Sequence, residues 1–313
     1  MRRYLITRFL YSIVALIGAT AIVFSLSRAV GDPRYLYAQE AYGLTSEAWE
    51  DLGRRLGLDK PLVAQYFIWL GNVARGDLGE SLIGRKPVIE LIGNKVGNTL
   101  QLGLAAWLLA TGVGIPLGIL SAVRRGTVWD YLGRGFAALG QAAPPFWIGI
   151  MAILFFAVKL GWLPAGTKGA GASAANIKYF IMPAVTLAWL SSASYLRITR
   201  TAMLEILDSE FVKFARAKGT TERSVIWKHA FRNALIPPLT VSALVLAGFI
   251  TGTVVVETVF TWPGLGKLAV DSVVQNDYPT MTGVVLLLAL VYVVVNFLTD
   301  MAYGIIDPRV SYT

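Results

Sequence analysis

Phe211–Pro238 reads FVKFARAKGTTERSVIWKHAFRNALIPP and is the longest polar interruption in the second half of an otherwise apolar chain. Leu204, Leu207, Phe211, Phe214 or Ala215, and Lys218 follow spacings of three and four, which predicts a helix with one apolar face. Gly219 suits the left-handed position that ends a helix. Thr220 or Thr221 can cap a second helix, with Glu222 in its first turn. The stretch holds Lys213, Arg216, Lys218, Arg223, Lys228 and Arg232, with Arg200 just upstream. Ala234–Ile236 then lead into a long apolar run, with Pro237 and Pro238 near its entrance. Taken alone, the stretch is either an ordinary basic loop or a docking element for a soluble partner.

Composition narrows the choice. Of 313 residues, 55% are hydrophobic and 15% charged, against about 25% charged in a typical soluble domain. Mean hydropathy is +0.59. An integral membrane protein is expected. There is no cysteine, hence no disulfide or thiolate chemistry, and the single histidine, His229, disfavours a histidine-built metal site or triad. The net charge of +9 belongs in the cytoplasmic loops of a membrane protein and does not imply nucleic acid.

Six apolar segments are expected to span. Phe9–Ser27 follows Arg2, Arg3 and Arg8; it is longer than a signal-peptide core and no small-residue cleavage site follows, so it reads as an uncleaved first span. Arg28–Lys95 is polar, with helix signals at Thr45-Ser46-Glu47 and Asp59-Lys60-Pro61 and a stop at Gly57. Thr99–Val123 carries Gly114-x-x-x-Gly118, glycines that let helices approach closely. Tyr131–Leu160 is too long for one straight span, and Pro144-Pro145 predicts a break within it. Tyr179–Leu196, Leu235–Val256 and Thr280–Thr299 complete the set. Segments 1–8, 124–134 and 197–232 carry +3, +2 and +4, whereas 32–95 and 257–280 carry −1 and −2. Only 159–178, with Lys159, Lys168 and Lys178, goes against that division. The positive-inside rule therefore puts both termini and the quoted stretch in the cytoplasm.

Several functions lose support. Gly266-Lys267 is followed by Leu268, and Thr261 stands where a Walker A loop needs its first glycine, so no ATP site is expected in this chain. A serine protease would need a histidine within the membrane. A proton-coupled carrier would bury charges within its spans, and here Glu257 and Asp300 sit at span ends, where water is expected nearby. Thr99, Gln101, Gln141, Ser191, Ser192, Ser194 and Asn296 can either line a path or hydrogen-bond between helices. Trp262-Pro263-Gly264-Leu265-Gly266 reads as a tight turn, re-entrant or plain.

At this point the residues resemble a family. Gly31-Asp32-Pro33, Leu56-Gly57-Leu58-Asp59-Lys60-Pro61-Leu62 with Gln65-Tyr66 and Trp69-Leu70, Gly76-Asp77-Leu78-Gly79-x-Ser81 with Pro87-Val88, Glu257–Gly266, Asp277-Tyr278-Pro279 and Asp307-Pro308-Arg309 are similar to the B-type permease of dipeptide, oligopeptide and nickel ABC importers. The resemblance covers almost the whole chain. Phe214–Gly219 and His229–Pro237 resemble the family's EAA loop, with Ala215-Arg216-Ala217 in place of the Glu-Ala-Ala triplet.

The resemblance implies an all-α integral membrane protein with six transmembrane helices, the type I ABC importer permease fold, and a helical extracytoplasmic segment between spans 1 and 2. Its divisions would be 1–30 (cytoplasmic N-terminus and first span), 31–95 (extracytoplasmic segment), 96–304 (core of five spans with the coupling loop at 204–238) and 305–313 (cytoplasmic tail). It implies a multi-pass, non-catalytic subunit of the cytoplasmic membrane. Its partners would be a homologous second permease, two cytoplasmic ATPases that bind ATP and Mg, and an extracytoplasmic binding protein. Phe211, Phe214, Ala215, Arg216, Ala217, Lys218 and Gly219 would couple to an ATPase. Glu257, Trp262, Pro263, Gly264 and Gly266 would form an outer loop or gate. Peptide is the implied substrate. A same-family importer of nickel, sugar or another solute, and a stand-alone carrier or channel, are the alternatives.

Overall fold

The computed structural model describes residues 2–29, 34, 45–55, 57–169, 176–251 and 253–306. Gly31-Asp32-Pro33, Leu56 and Asp307-Pro308-Arg309 lie outside them. Among the described residues every regular element is a helix: α1 (Arg2–Ala29), α2 (Ser46–Arg55), α3 (Leu62–Ala74), α4 (Val88–Val123), α5 (Val128–Ala142), α6 (Pro145–Lys159), α7 (Ile177–Leu207), α8 (Glu210–Ala217), α9 (222–234), α10 (Ile236–Thr251), α11 (Val254–Val259), α12 (Leu265–Val274) and α13 (Tyr278–Ile306). Among the described residues, four helices are long and apolar enough to cross a membrane: Ile6–Leu26 of α1, α4, α7, and Tyr278–Leu298 of α13. The pair α5 and α6 passes the same test together but bends by 103°. That bend falls at the expected Pro144-Pro145, where Pro145 opens α6 as its first residue. In the expected fifth span, Leu235–Val256, the described residues form α10, to Thr251, and α11, from Val254.

The chain forms two compact units, with boundaries inside α4 after Asn98 and again after Trp262. The first unit combines residues 1–98 with 263–313. In it α1 packs along α13, and Phe24, Tyr66 and Trp69 form an aromatic cluster between α1 and α3. Val88, Ile92, Leu265 and Val284 form its apolar core. Asp277 is a buried carboxylate satisfied by Ser81 Oγ at 2.5 Å, Thr280 Oγ1 at 2.7 Å and the Leu82 N–H at 3.1 Å. It ties the 77–87 loop to the start of α13. Helix α12 begins within the expected tight turn Trp262–Gly266.

The second unit, 99–262, is built around α7. Lipid supplies no hydrophobic drive between helices, so close backbone approach and polar contacts must hold them. The glycines do this here. A Cβ at Gly114 would lie 2.5 Å from the Ser192 carbonyl, and one at Gly118 would lie 2.7 Å from the Leu196 carbonyl. On α5, Gly140 packs directly on Ala193. Thus α7 receives α4 and α5 through side-chain-free contacts. The Gly114-x-x-x-Gly118 pair packs within the chain.

One polar knot reinforces this packing. Asp130 is buried. It accepts two bonds from Arg200, at 2.7 and 3.0 Å, one from Ser121 Oγ at 2.6 Å, and one from the Gly126 N–H at 3.1 Å. Ser121 belongs to α4, Asp130 to α5 and Arg200 to α7, so a single carboxylate joins three helices. A buried charge is tolerable only when paired and fully hydrogen-bonded.

Gly114→Ala should lower the thermal unfolding temperature of the purified chain, by a cost of about 1–3 kcal/mol for overpacking. Gly112→Ala should not, because nothing lies within 4 Å of the added carbon. Arg200→Met strands a buried carboxylate and should cost about 3–5 kcal/mol in the same assay. Arg125→Met, which removes an exposed 3.4 Å pair with Asp208, should cost under about 1 kcal/mol.

Candidate functional site

The predicted single helix from Leu204 to Lys218 is divided. Helix α7 continues to Leu207, the chain turns at Asp208-Ser209, and α8 begins at Glu210. Ser209 Oγ bonds the Ile206 carbonyl at 2.5 Å, which turns the local hydrogen bonding back on the preceding helix. Leu204 and Leu207 therefore pack with Met203, Ala230 and Ala234 at the base of α7, and they do not extend the face of α8.

Helix α8 has two faces. Val212 and Ala215 are buried and seat it on the unit. Phe211 and Phe214 are 45% and 62% exposed. Lys218 Nζ stands 4.5 Å over the Phe214 ring, a cation–π contact that steadies an otherwise uncovered aromatic. Gly219 has φ +79°, a left-handed conformation in which side-chain-bearing residues are strained. Beyond it, Thr221 occupies the N-cap of α9 without a side-chain cap bond. The two helices are bridged by Arg216, whose Nη2 and Nε donate to Glu222 at 2.8 and 3.3 Å. The hydrogen bond from Arg216 holds the Glu222 carboxyl below its usual range. Any stabilisation from that shift is present above the ordinary carboxylate pKa and is lost as pH falls through the lowered value.

Trp227, in α9, is 53% exposed and packs edge-on against Phe231. It lines a cleft with Thr221, Arg223, Ser224 and Lys228. Sequence reasoning did not single out Trp227, although a tryptophan in a basic polar stretch was the available signal. Val212 was missed as well. Residues 225–231 of α9 are wound as a π-helix. Buried positions accordingly fall at Val225, Ala230, Ala234, Pro238 and Ser242, one step of five followed by steps of four.

Of the residues expected to form an outer loop or gate, Glu257, Trp262, Gly264 and Gly266 are buried and Pro263 is half-buried. Glu257 was expected near water at a span end, but it is 0% exposed. Its Oε1 accepts from Thr99 Oγ1 at 2.7 Å and Thr253 Oγ1 at 2.8 Å. Thr99 lies far away in sequence, so local pattern could not reveal the pairing. Trp262 is buried edge-on against Phe180, ring centroids 5.1 Å apart. The Thr167 N–H donates to the Phe260 carbonyl at 2.8 Å, and a Cβ at Gly166 would lie 2.6 Å from that oxygen. In the other unit, the Pro263 carbonyl accepts from Asn98 Nδ2 at 2.8 Å, Gly264 is the N-cap of α12, and Gly266 is buried in its first turn. Among the described residues no group of His, Cys, Asp and Glu could hold a metal ion.

Comparison with known proteins gives this arrangement a family. Residues 114–312 match the family described as "Binding-protein-dependent transport system inner membrane component", and residues 1–103 match its N-terminal companion. The oligopeptide transport system permease protein AppB of Bacillus subtilis is 40% identical, with 100% of both chains covered. The dipeptide transport system permease protein DppB of Escherichia coli K12 is 35% identical over 100% of this chain and 99% of its own. The di/tripeptide transport system permease protein DppB of Pseudomonas aeruginosa is 36% identical over 94% of each chain. Among solved structures, an inward-facing MetNI methionine ABC transporter matches 70% of this chain and 97% of its own at TM-score 0.57 and 19% identity. An amino acid ABC transporter matches 69% of this chain and 94% of its own at TM-score 0.52 and 15% identity. Those two likenesses establish the fold alone. The full-length matches, with the apolar helices, make this chain an integral membrane member of the binding-protein-dependent transport system inner membrane component family.

Proposed function

We propose that this chain is the permease subunit of an ATP-driven importer of dipeptides or oligopeptides. The observation that carries the reading is full-length identity of 35–40% to permeases named for oligopeptide and dipeptide transport. Substrate is carried over from those relatives; import of nickel, sugar or another solute by the same machinery is the second reading. Against a stand-alone carrier stands the aromatic face of α8 and α9, which is exposed in a segment otherwise seated firmly on its unit.

In this reading the partners are a homologous permease, two ATPases that hold ATP and Mg, and an extracytoplasmic binding protein. The chain itself holds no cofactor. Both termini and the α8–α9 segment face the cytoplasm. Helix α8 inserts Phe211 and Phe214 into an ATPase groove, the aromatic anchoring common at interface centres. Val212 and Ala215 pass the resulting force to the base of α7, and rocking of the helices alternates access. Glu257 and Trp262 lie toward the outer side, and the 31–95 segment stands on the face where the binding protein arrives.

Reconstitution with the ATPases, the second permease and the binding protein tests the function. ATP-dependent accumulation of dipeptide inside vesicles is expected; flux through this chain alone, without ATPases, would sink the proposal. Phe214→Ala should leave the chain folded yet weaken ATPase co-purification by about thirtyfold or more, the size of a 2 kcal/mol hot spot. Gly219→Asp should assemble and hydrolyse ATP but take up little substrate, because the αL position is forced on a side-chain-bearing residue. Uptake at the unmutated rate would remove Gly219 from the coupling path.

A further inference from the structure

We propose that the cleft between α5 and α7 binds the phosphate of an anionic phospholipid headgroup through Arg134 and Arg197. The cleft has a volume of about 600 Å³, and its polar lining includes Arg134, Gln141, Arg197 and Arg200. No aspartate or glutamate lines it. Arg200 is committed to Asp130 by two bonds. Arg197 meets only a neutral acceptor, with Nη1 donating to Gln141 Oε1 at 2.9 Å. Arg134 stands 5.8 Å over the Tyr131 ring. Among the described residues neither Arg134 nor Arg197 forms an ion pair, so two guanidinium charges face one cavity uncompensated. Guanidinium forks match phosphate oxygens in geometry as well as in charge.

Depth and surroundings favour a lipid over a soluble anion. Arg134 stands six residues beyond Val128, about 9 Å along α5, and Arg197 stands ten residues before Leu207, about 15 Å along α7. Arg197 also directly follows the apolar run Tyr179–Leu196, so both lie toward the boundary on the side of the Arg124-Arg125 loop, within reach of a headgroup by long side chains that bend toward the interface. Tyr131, which lines the cleft, is itself exposed, and α5 further exposes Val128 and Leu132. Trp and Tyr are enriched at membrane interfaces, and acyl chains would cover this apolar rim, which a soluble anion would leave bare. The site does not depend on what the transporter carries.

The test uses the full-length chain purified in detergent, with phosphatidylglycerol and phosphatidylcholine as probes and native mass spectrometry as the readout. The unmutated chain should retain phosphatidylglycerol in preference to phosphatidylcholine, and retention should fall as salt rises. Arg134→Gln and Arg197→Gln should each weaken retention about fivefold, since a basic residue near an anionic surface contributes on the order of 1 kcal/mol. The double Lys variant, which keeps the charge and so protects against a folding artefact, should retain more lipid than the double Gln variant. Equal retention of the two lipids, an unchanged preference in the double Gln variant, or displacement of phosphatidylglycerol by dialanine would each overturn the proposal; the last would assign the cleft to a soluble carboxylate.

Discussion

The carboxylate of Asp130 is the constraint on which the second unit depends. It gathers a hydroxyl from α4, a backbone N–H from the turn before α5 and a guanidinium from α7. In a low-dielectric setting each of these bonds is strong, and losing any one leaves a buried charge with less to offset it. Glycines on α4 and α5 bring the helices close enough for such short side chains to meet. Backbone proximity and charge satisfaction are thus one arrangement. Together they fix the C-terminal part of α7, from which α8 departs.

The same logic recurs with different chemistry elsewhere. Asp277 closes the loop of the first unit with two hydroxyls and an N–H. Glu257 anchors α11 to the start of the α4 portion in its own unit through two threonines. In both, hydroxyl donors that carry no charge answer the acid and hold a turn. Asp130 takes an arginine as well. Its cluster borders the basic cleft, where charge is already concentrated.

Much of the architecture was legible because membrane helices announce themselves by composition and proline by its missing N–H. The bend at Pro144-Pro145 and the left-handed Gly219 follow from those two facts. The exposed Phe211 and Phe214 were legible through resemblance. Glu257 and Asp130 were not: their partners Thr99 and Arg200 are remote in sequence, and an isolated acid looks the same whether it is hydrated or buried. Helix α12 was hidden behind Trp262-Pro263-Gly264, whose turn signals are real but whose glycine serves as a helix cap. The division between α7 and α8 escaped because Leu204 and Leu207 happen to continue the period of Phe211 and Phe214.

The π-wound turn at 225–231 has a consequence for reading this region in any related chain. An α-helix advances its azimuth by about 100° per residue, so one extra residue within a turn swings everything downstream through slightly more than a right angle. Val225 and Ala230 share a face only because that residue is accommodated. A helical wheel drawn without a break from Glu222 into α10 would therefore assign lipid and interior to the wrong sides. A one-residue gap placed there when two sequences are aligned is structural phase, to be counted as a change of winding and not as the loss of a loop residue.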